Sequence, residues 1–301
     1  MALLDRAIVK LLPAVPRPVV RRISSRYIAG STIDDATRVV RELNAAGKLA
    51  TVDVLGEEIH DAGATQRFVQ AYEEVLEAIE REGLDSNISV KLTALGLKLD
   101  LDLCRANLEA VVRDAAARGN FVRIDMEDSS TTDDTLRLYR ELREAGHENV
   151  GFVLQAYMRR TVADVRALAD LEPNVRLCKG IYVEPPELAF RDFDAVRANF
   201  VKALDALLAA GAYVGVATHD EWLIGQALDR VAGLDRAAYE FQMLLGVREQ
   251  RADELVAAGH RLRIYVPFGY EWYDYSLRRL QENPKIAGYI AGDTLGRLIG
   301  R

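Results

Sequence analysis

Near the C-terminus, the stretch YDYSLRRLQENP sets Arg278 and Arg279 side by side in a segment with helical periodicity, with Tyr275 three and four residues before them. Residues at those spacings share one stretch of a helix surface. Two adjacent guanidiniums repel each other unless an anion holds them, and each offers a planar fork that matches a carboxylate in bidentate fashion. Two forks beside a tyrosine ring therefore suit a small amino or keto acid. The competing partner is Glu282, four residues from Arg278 and three from Arg279. An exposed helical ion pair of that kind is worth only about 0.3–0.5 kcal/mol, too little to account for arginine at both positions.

A second set of polar residues, Lys91, Asp125, Arg176, Lys179 and His219, falls at the C-terminal ends of short apolar runs. His219, in ATHD, has the chemistry of a metal ligand, a base or a donor to a cofactor. His60, His147 and His260 fall in loops or after helix-ending glycines and read as solvated, so no metal site is expected. Neither a GxSxG turn nor a Cys–His arrangement is present for covalent hydrolysis. Lys91 or Lys179 could instead serve as the Schiff-base nucleophile of a lyase or aldolase acting on a small carboxylic acid. A barrel that binds a carboxylate without turning it over is a further reading.

Those residues need elements to position them. The segments STIDDATRVVRELNAAGK, TQRFVQAYEEVLEAIEREG, DLDLCRANLEAVVRDAAARG, TDDTLRLYRELREAG, TVADVRALADL, DAVRANFVKALDALLAAG and RADELVAAG carry apolar residues at helical spacing. Between them lie eight β-type runs: LATVDVL, NISVKLTA, FVRIDME, VGFVLQA, VRLCKGIY, YVGVATH, EFQMLLG and LRIYVPF. Helix–strand alternation implies parallel strands with right-handed crossovers. Eight units without a GxGxxG turn predict an α/β fold, a (β/α)8 barrel rather than a doubly wound sheet. Strand parity agrees. Val122, Ile124 and Met126 share one face against Arg123, Asp125 and Glu127, and Ile264 and Val266 oppose Arg263 and Tyr265. The polar face predicts a pocket at the C-terminal mouth, and the arginine-bearing last helix is expected over that mouth.

The chain has 301 residues, half of them hydrophobic, and a formal charge of −7. The acidic balance argues against nucleic acid as partner. Cys104 and Cys178 stand far apart without a CxxC, which excludes a disulfide framework and suggests a reducing compartment. Residues 1–30, basic and apolar, read as an N-terminal helical arm preceding a barrel domain over 31–301; a targeting segment or membrane-surface contact is the alternative.

The motifs DVLGE, SVKLTALG, RIDMED, VLQAY, VRLCKGIY, ATHD, EFQMLLG and RIYVPFGYEWYDYSLRRLQENP occur in that order, one set per strand end, from about residue 30 to 290. In this the chain resembles the proline dehydrogenase family, and its length suits the monofunctional form. The resemblance implies a distorted barrel of the TIM type with FAD at the mouth and the last helix above it. Arg278 and Arg279 are expected to bind the carboxylate of L-proline, with Lys91 also lining the substrate site and Tyr265 and Tyr275 on the ring. Asp125 matches an active-site acid expected to pair with Lys91 and the arginines, and Arg176 matches an arginine near flavin N5. Met126, Gln155, Lys179, Gly180, Ile181, Thr218 and His219 match flavin-contacting positions. The implied reaction moves a hydride from proline C5 to flavin N5, giving Δ1-pyrroline-5-carboxylate as the first step of proline catabolism to glutamate. A quinone is the implied electron acceptor. The implied location is the cytoplasm, with peripheral contact at the inner membrane face, or the mitochondrion in a eukaryote.

Overall fold

The computed structural model describes residues 26–56, 59, 61–269 and 272–273. Eight parallel strands close into a barrel in sequence order: β1 (Leu49–Val54), β2 (Ser86–Val90), β3 (Val122–Ile124), β4 (Val150–Gln155), β5 (Asn174–Cys178), β6 (Tyr213–Ala217), β7 (Tyr239–Leu244) and β8 (Leu262–Phe268). Closure comes from β8 pairing along the whole of β1, from Leu49 opposite Arg263 to Val54 opposite Phe268.

Helix α1 (Ile33–Ala45) precedes β1, and α2 (Ala62–Glu82), α3 (Leu101–Ala117), α4 (Thr132–Glu144), α5 (Thr161–Ala167), α6 (Phe193–Ala209), α7 (Glu221–Val231) and α8 (Glu249–Ala257) follow β1 to β7 in turn. Aspartate N-caps start α2, α3, α6 and α7: the side chains of Asp61, Asp100, Asp192 and Asp220 accept backbone N–H bonds that the first turn leaves unmet. Helix α7 was not foreseen from periodicity. Its buried Leu223, Ile224, Ala227 and Val231 keep the helical spacing, but Gly225 inside it and Gly233 after it read as loop signals.

Two cores result. Outward-facing strand residues such as Val90, Val122, Ile124, Phe152, Val214 and Val266 meet the helices in one continuous apolar layer. The inside of the barrel is instead polar and charged, with Asp53, Ser89, Arg123, Arg176, Glu240 and Gln242 all buried. This matches the predicted parity. Among the described residues no helix is long and apolar enough to cross a membrane.

Residues 26–30, the described part of the predicted arm, form a turn and an irregular stretch rather than helix. Ile28 and Ala29 are buried, and the Ala29 N–H donates to Pro267 O at 2.9 Å, so this stretch lies along the end of β8. The rest of the arm, and the last helix expected over the mouth, lie outside the described residues.

At the N-terminal end of the interior, Arg123 fills the space beside β4. Its Nη1 donates to the carbonyls of Phe152 and Asn174 at 2.9 and 2.7 Å. Burial first, then repulsion from Arg176, push its guanidinium down to about 9. Gly151 makes the room: a Cβ there would lie 2.4 Å from Asn174 O and 2.6 Å from Arg123 Nη1. Gly151→Ala is therefore expected to destabilise the barrel by about 2–3 kcal/mol through overpacking, read as a lower urea midpoint; an unchanged midpoint would show that this end of the interior is loosely packed.

Candidate functional site

The residues singled out from sequence fall on consecutive strand ends. Lys91 follows β2, Asp125 and Met126 follow β3, Gln155 ends β4, and Arg176 lies within β5 with Lys179, Gly180 and Ile181 just after it. Thr218 and His219 follow β6, and Tyr265 lies in β8. In a parallel barrel, C-terminal strand ends share one face, the usual place for a catalytic mouth. Tyr275, Arg278 and Arg279 lie outside the described residues.

The centre of the site is Asp125. Its Oδ1 accepts from Arg176 Nη1 at 2.7 Å and Ser89 Oγ at 2.7 Å, and its Oδ2 accepts from Tyr265 Oη at 2.8 Å. The expected partnership with Lys91 is looser, at 3.9 Å. Lys91 Nζ instead donates to Asp53 Oδ1 at 2.7 Å and lies 3.5 Å from Tyr265 Oη. Asp53 is fully buried. Burial raises its carboxyl, Lys91 works against that and Asp125 adds to it, leaving it at about 6. A Schiff-base nucleophile must offer a neutral amine with a free lone pair. Lys91, buried against one carboxylate and near a second, is poorly arranged for that, and Lys179 donates to Asp220 Oδ2 at 2.9 Å.

Arg176 is fixed from below as well. Its Nε donates to Gln242 Oε1 at 2.6 Å, and Gln242 Nε2 donates to Glu240 Oε1 at 2.6 Å. Glu240 also accepts from Arg263 Nε at 2.7 Å. Burial would raise the Glu240 carboxyl, but Arg263 and the surrounding hydrogen bonds outweigh it and hold it below its ordinary value. The Tyr265 ring lies 5.2 Å from the Arg176 guanidinium carbon. The arginine is thus oriented on three sides, while its buried Nη2 has no hydrogen-bond partner among the described residues.

Strand parity puts Ser89 and Arg263 on polar strand faces without assigning them a role, and Asp53, Glu240 and Gln242 were not singled out, although the same parity could have found them. Asp53 alternates with Val52 and Val54 in β1, and Glu240 and Gln242 alternate with Phe241 and Met243 in β7.

The remaining residues form a rim. Gln155 Nε2 donates to Glu127 O at 2.8 Å, tying β4 to the loop after β3. Pairing of β4 and β5 runs past the strands, with Ala156 N–H donating to Cys178 O and Tyr157 N–H to Lys179 O, both at 2.7 Å. This brings Gly180 against Tyr157. Gly180 has φ +101°, and a Cβ there would lie 2.1 Å from the Tyr157 ring. Internal packing and backbone conformation therefore already require glycine, before any ligand is considered. Cys178 does not supply a ready thiolate, since burial pushes its thiol up to about 11. Ile181 and Val183 stand 43% and 98% exposed, an apolar edge after β5. His219 Nε2 accepts the Leu244 N–H at 3.0 Å, which orients the imidazole against the end of β7.

A flat ring system with an electronegative edge suits these features. A buried guanidinium N–H of Arg176 without a hydrogen-bond partner among the described residues lies on β5, the exposed Ile181 and Val183 follow that strand, and polar groups stand at the ends of β4 and β6. A flavin has that shape and polarity. Among the described residues no cluster of His, Cys, Asp or Glu is placed to hold a metal.

Asp220 ties two loops together. It caps α7, accepts from Lys179, and accepts from Arg197 at 2.9 Å on Oδ2 and 2.6 Å on Oδ1. The Arg197 hydrogen bond is the largest cause holding its carboxyl well below the usual range; burial opposes it and Lys179 adds to it.

Comparison with known proteins places this geometry. A family profile described as proline dehydrogenase matches residues 36–291. Proline dehydrogenase 1 of Bacillus subtilis (strain 168) is 38% identical over 267 residues, 88% of each chain. Proline dehydrogenase of Deinococcus radiodurans is 36% identical over 274 residues, 89% of this chain and 88% of that one. The crystal structure of proline utilization A from Bdellovibrio bacteriovorus, inactivated by N-propargylglycine, superposes with a TM-score of 0.82 at 23% identity over 92% of this chain. The present chain spans 36% of that longer protein, and the likeness concerns the fold.

The low pKa of Asp220 gives a pH test of the rim. The stability it contributes is complete above about pH 4, the ordinary carboxylate range, and is lost as pH falls through the depressed folded value. Asp220→Asn keeps a good N-cap but removes the charge. It should cost about 1–2 kcal/mol at pH 7, discounted for the partial exposure of both cations. The gap between wild type and variant should narrow below about pH 4 in urea unfolding; a gap independent of pH would remove the charge from the account.

Proposed function

The chain belongs to the proline dehydrogenase family, and from that premise we propose how its residues divide the work of oxidising proline at a flavin. It is an oxidoreductase acting on proline, the first step of proline catabolism. The Schiff-base lyase reading is not favoured, and the carboxylate contacts of Lys91 and Lys179 weigh against it. The single observation that carries the division of labour is the Asp125 centre, which joins Arg176 on one side to Tyr265 and the Lys91–Asp53 pair on the other.

On the substrate side, Arg278 and Arg279 bind the proline carboxylate with Lys91 beside them, and Tyr275 and Tyr265 pack against the pyrrolidine ring. Asp125 holds the Tyr265 hydroxyl, so the ring plane of Tyr265 is set before substrate arrives. The bulk of that ring favours proline over its 4-hydroxylated analogue. Asp53 keeps Lys91 from closing fully on Asp125, leaving the lysine charge near the substrate side.

On the cofactor side, Met126, Gln155, Lys179, Gly180, Ile181, Thr218 and His219 would hold FAD, with Arg176 at its electronegative edge. The bound flavin supplies the acceptor for the hydride that leaves proline C5, giving Δ1-pyrroline-5-carboxylate. Arg176 stabilises the negative charge that builds on its side of the site, and the Gln242–Glu240–Arg263 chain fixes its position, with the Glu240 carboxylate set against the Arg263 charge. The substrate amine must shed its proton before its lone pair can expel a hydride. A quinone is the onward acceptor, and we place the protein in the cytoplasm with peripheral contact at the membrane face where quinones reside; the basic, apolar residues 1–30 are the candidate contact and the rest of the chain the catalytic domain.

The purified protein is expected to show flavin absorbance near about 450 nm that bleaches on anaerobic addition of L-proline. A colourless protein that binds proline without turnover would overturn the reading. Arg278→Met or Arg279→Met should raise the KM for proline by about 10- to 100-fold, since each removes a charge-assisted bond to the carboxylate. Wild-type KM in both would refute the clamp.

A further inference from the structure

Arg248, between β7 and α8, has φ 52° and ψ 44°, the left-handed region, and it caps α8 without any side-chain cap bond. Glycine or asparagine takes that conformation at lower cost, whereas an ordinary L-residue held there costs about 1–3 kcal/mol. Such a residue persists where the surrounding contacts over-determine it. The Arg248 side chain is 39% exposed, and its Nη2 meets Glu221 Oε2 at 2.7 Å, a surface pair whose carboxylate is itself 55% exposed. A pair of that kind contributes at most about 1 kcal/mol, so it does not by itself explain arginine.

The other half of the fork does. Arg248 Nη1 donates to His219 O at 2.7 Å. The His219 ring accepts from the Leu244 N–H at the end of β7. His219 is thus pinned at its ring by β7 and at its backbone by the residue that opens α8. Glu221 opens α7 immediately after this loop, and Arg251 of α8 holds its other oxygen at 2.9 Å. Thr218, one residue earlier, accepts the Asp220 N–H at 3.1 Å through Oγ1, so the whole turn from β6 to α7 is set by these contacts.

We propose that Arg248 is a positioning residue that clamps the β6–α7 turn against β7 and thereby holds Thr218 and His219 in place to retain the flavin. The proposal rests on the reading that Thr218 and His219 contact FAD. The left-handed backbone aims the guanidinium back across the mouth rim, and the strain is the cost of that aim. The clamp touches neither substrate nor reacting atoms, so its loss is expected to appear in cofactor retention rather than in proline binding.

The test compares two variants of the holoenzyme. Arg248→Gly removes the clamp and relieves the backbone, whereas Arg248→Ala removes the clamp and keeps the strain. Both should release FAD about tenfold faster on dilution, followed by flavin fluorescence, a factor corresponding to about 1.4 kcal/mol. Their melting temperatures should differ, with the glycine variant higher, and the KM for proline should stay within about twofold of wild type. The amide of Leu244 should exchange faster with solvent in both. Release rates that follow melting temperature across the two variants would make Arg248 a merely structural residue and overturn the inference. So would release at the wild-type rate. His219→Ala separates the two levels: if it speeds release while the Arg248 variants do not, the clamp alone fails; if none of the three alters release, the flavin-contact reading fails and the clamp with it.

Discussion

Charge buried inside a closed barrel must be met by opposite charge or hydrogen bonds, and the rest of this structure depends on how that demand is satisfied. Removing one partner of a buried ion pair typically costs about 3–5 kcal/mol. The barrel holds Arg176, Lys91 and Arg263 against Asp125, Asp53 and Glu240, and Gln242 links the groups of the lower end to Arg176. Each pair joins different strands: β5 with the end of β3, the end of β2 with β1, and β8 with β7. The pairs are therefore also registration devices. A strand that slipped by one residue would turn its charged side chain into the apolar layer beneath the helices, so the arrangement that prepares the site also penalises misassembly.

This division explains which parts were legible in the sequence. Helical spacing and alternating strands are local patterns, and the eight-strand order follows from them. Polar residues at strand ends are equally local, which is why Lys91, Asp125, Arg176 and Tyr265 were identified and are found together. Partnership across a barrel is not local. Nothing in the spacing of Lys91 and Asp125 distinguishes a 3.9 Å approach from the 2.7 Å bond that Lys91 makes with Asp53. The choice depends on barrel stagger, which sequence periodicity does not encode. Helix α7 escaped because Gly225 offsets a good apolar face; packing of Leu223 and Ile224 overrides the weak propensity.

Gly180 shows the same point from another side. Its place in VRLCKGIY matches a flavin-contacting position, but the observed constraints are a left-handed backbone and the neighbouring Tyr157 ring. Both demands act on one atom, and a sequence cannot separate them. The site is thus better described as a set of internal packing solutions that leave an apolar edge exposed and the buried Arg176 Nη2 without a hydrogen bond among the described residues than as a set of residues chosen singly for a ligand.

The two cores carry different loads. Folding is driven by the outer layer, where strands and helices bury large apolar side chains in one cluster. The inner core contributes little hydrophobic gain and is held by directional bonds instead. Because the outer layer stabilises the barrel, the interior is free to hold charge in fixed positions, as an oxidation that shifts charge in its course requires. The rim follows the same logic at the surface: Asp220 serves as helix cap and counter-ion at once, and Arg248 tolerates a costly backbone. At Arg248 local stability is given up where position matters, at Asp220 position and stability coincide, and the apolar layer makes the first tolerable.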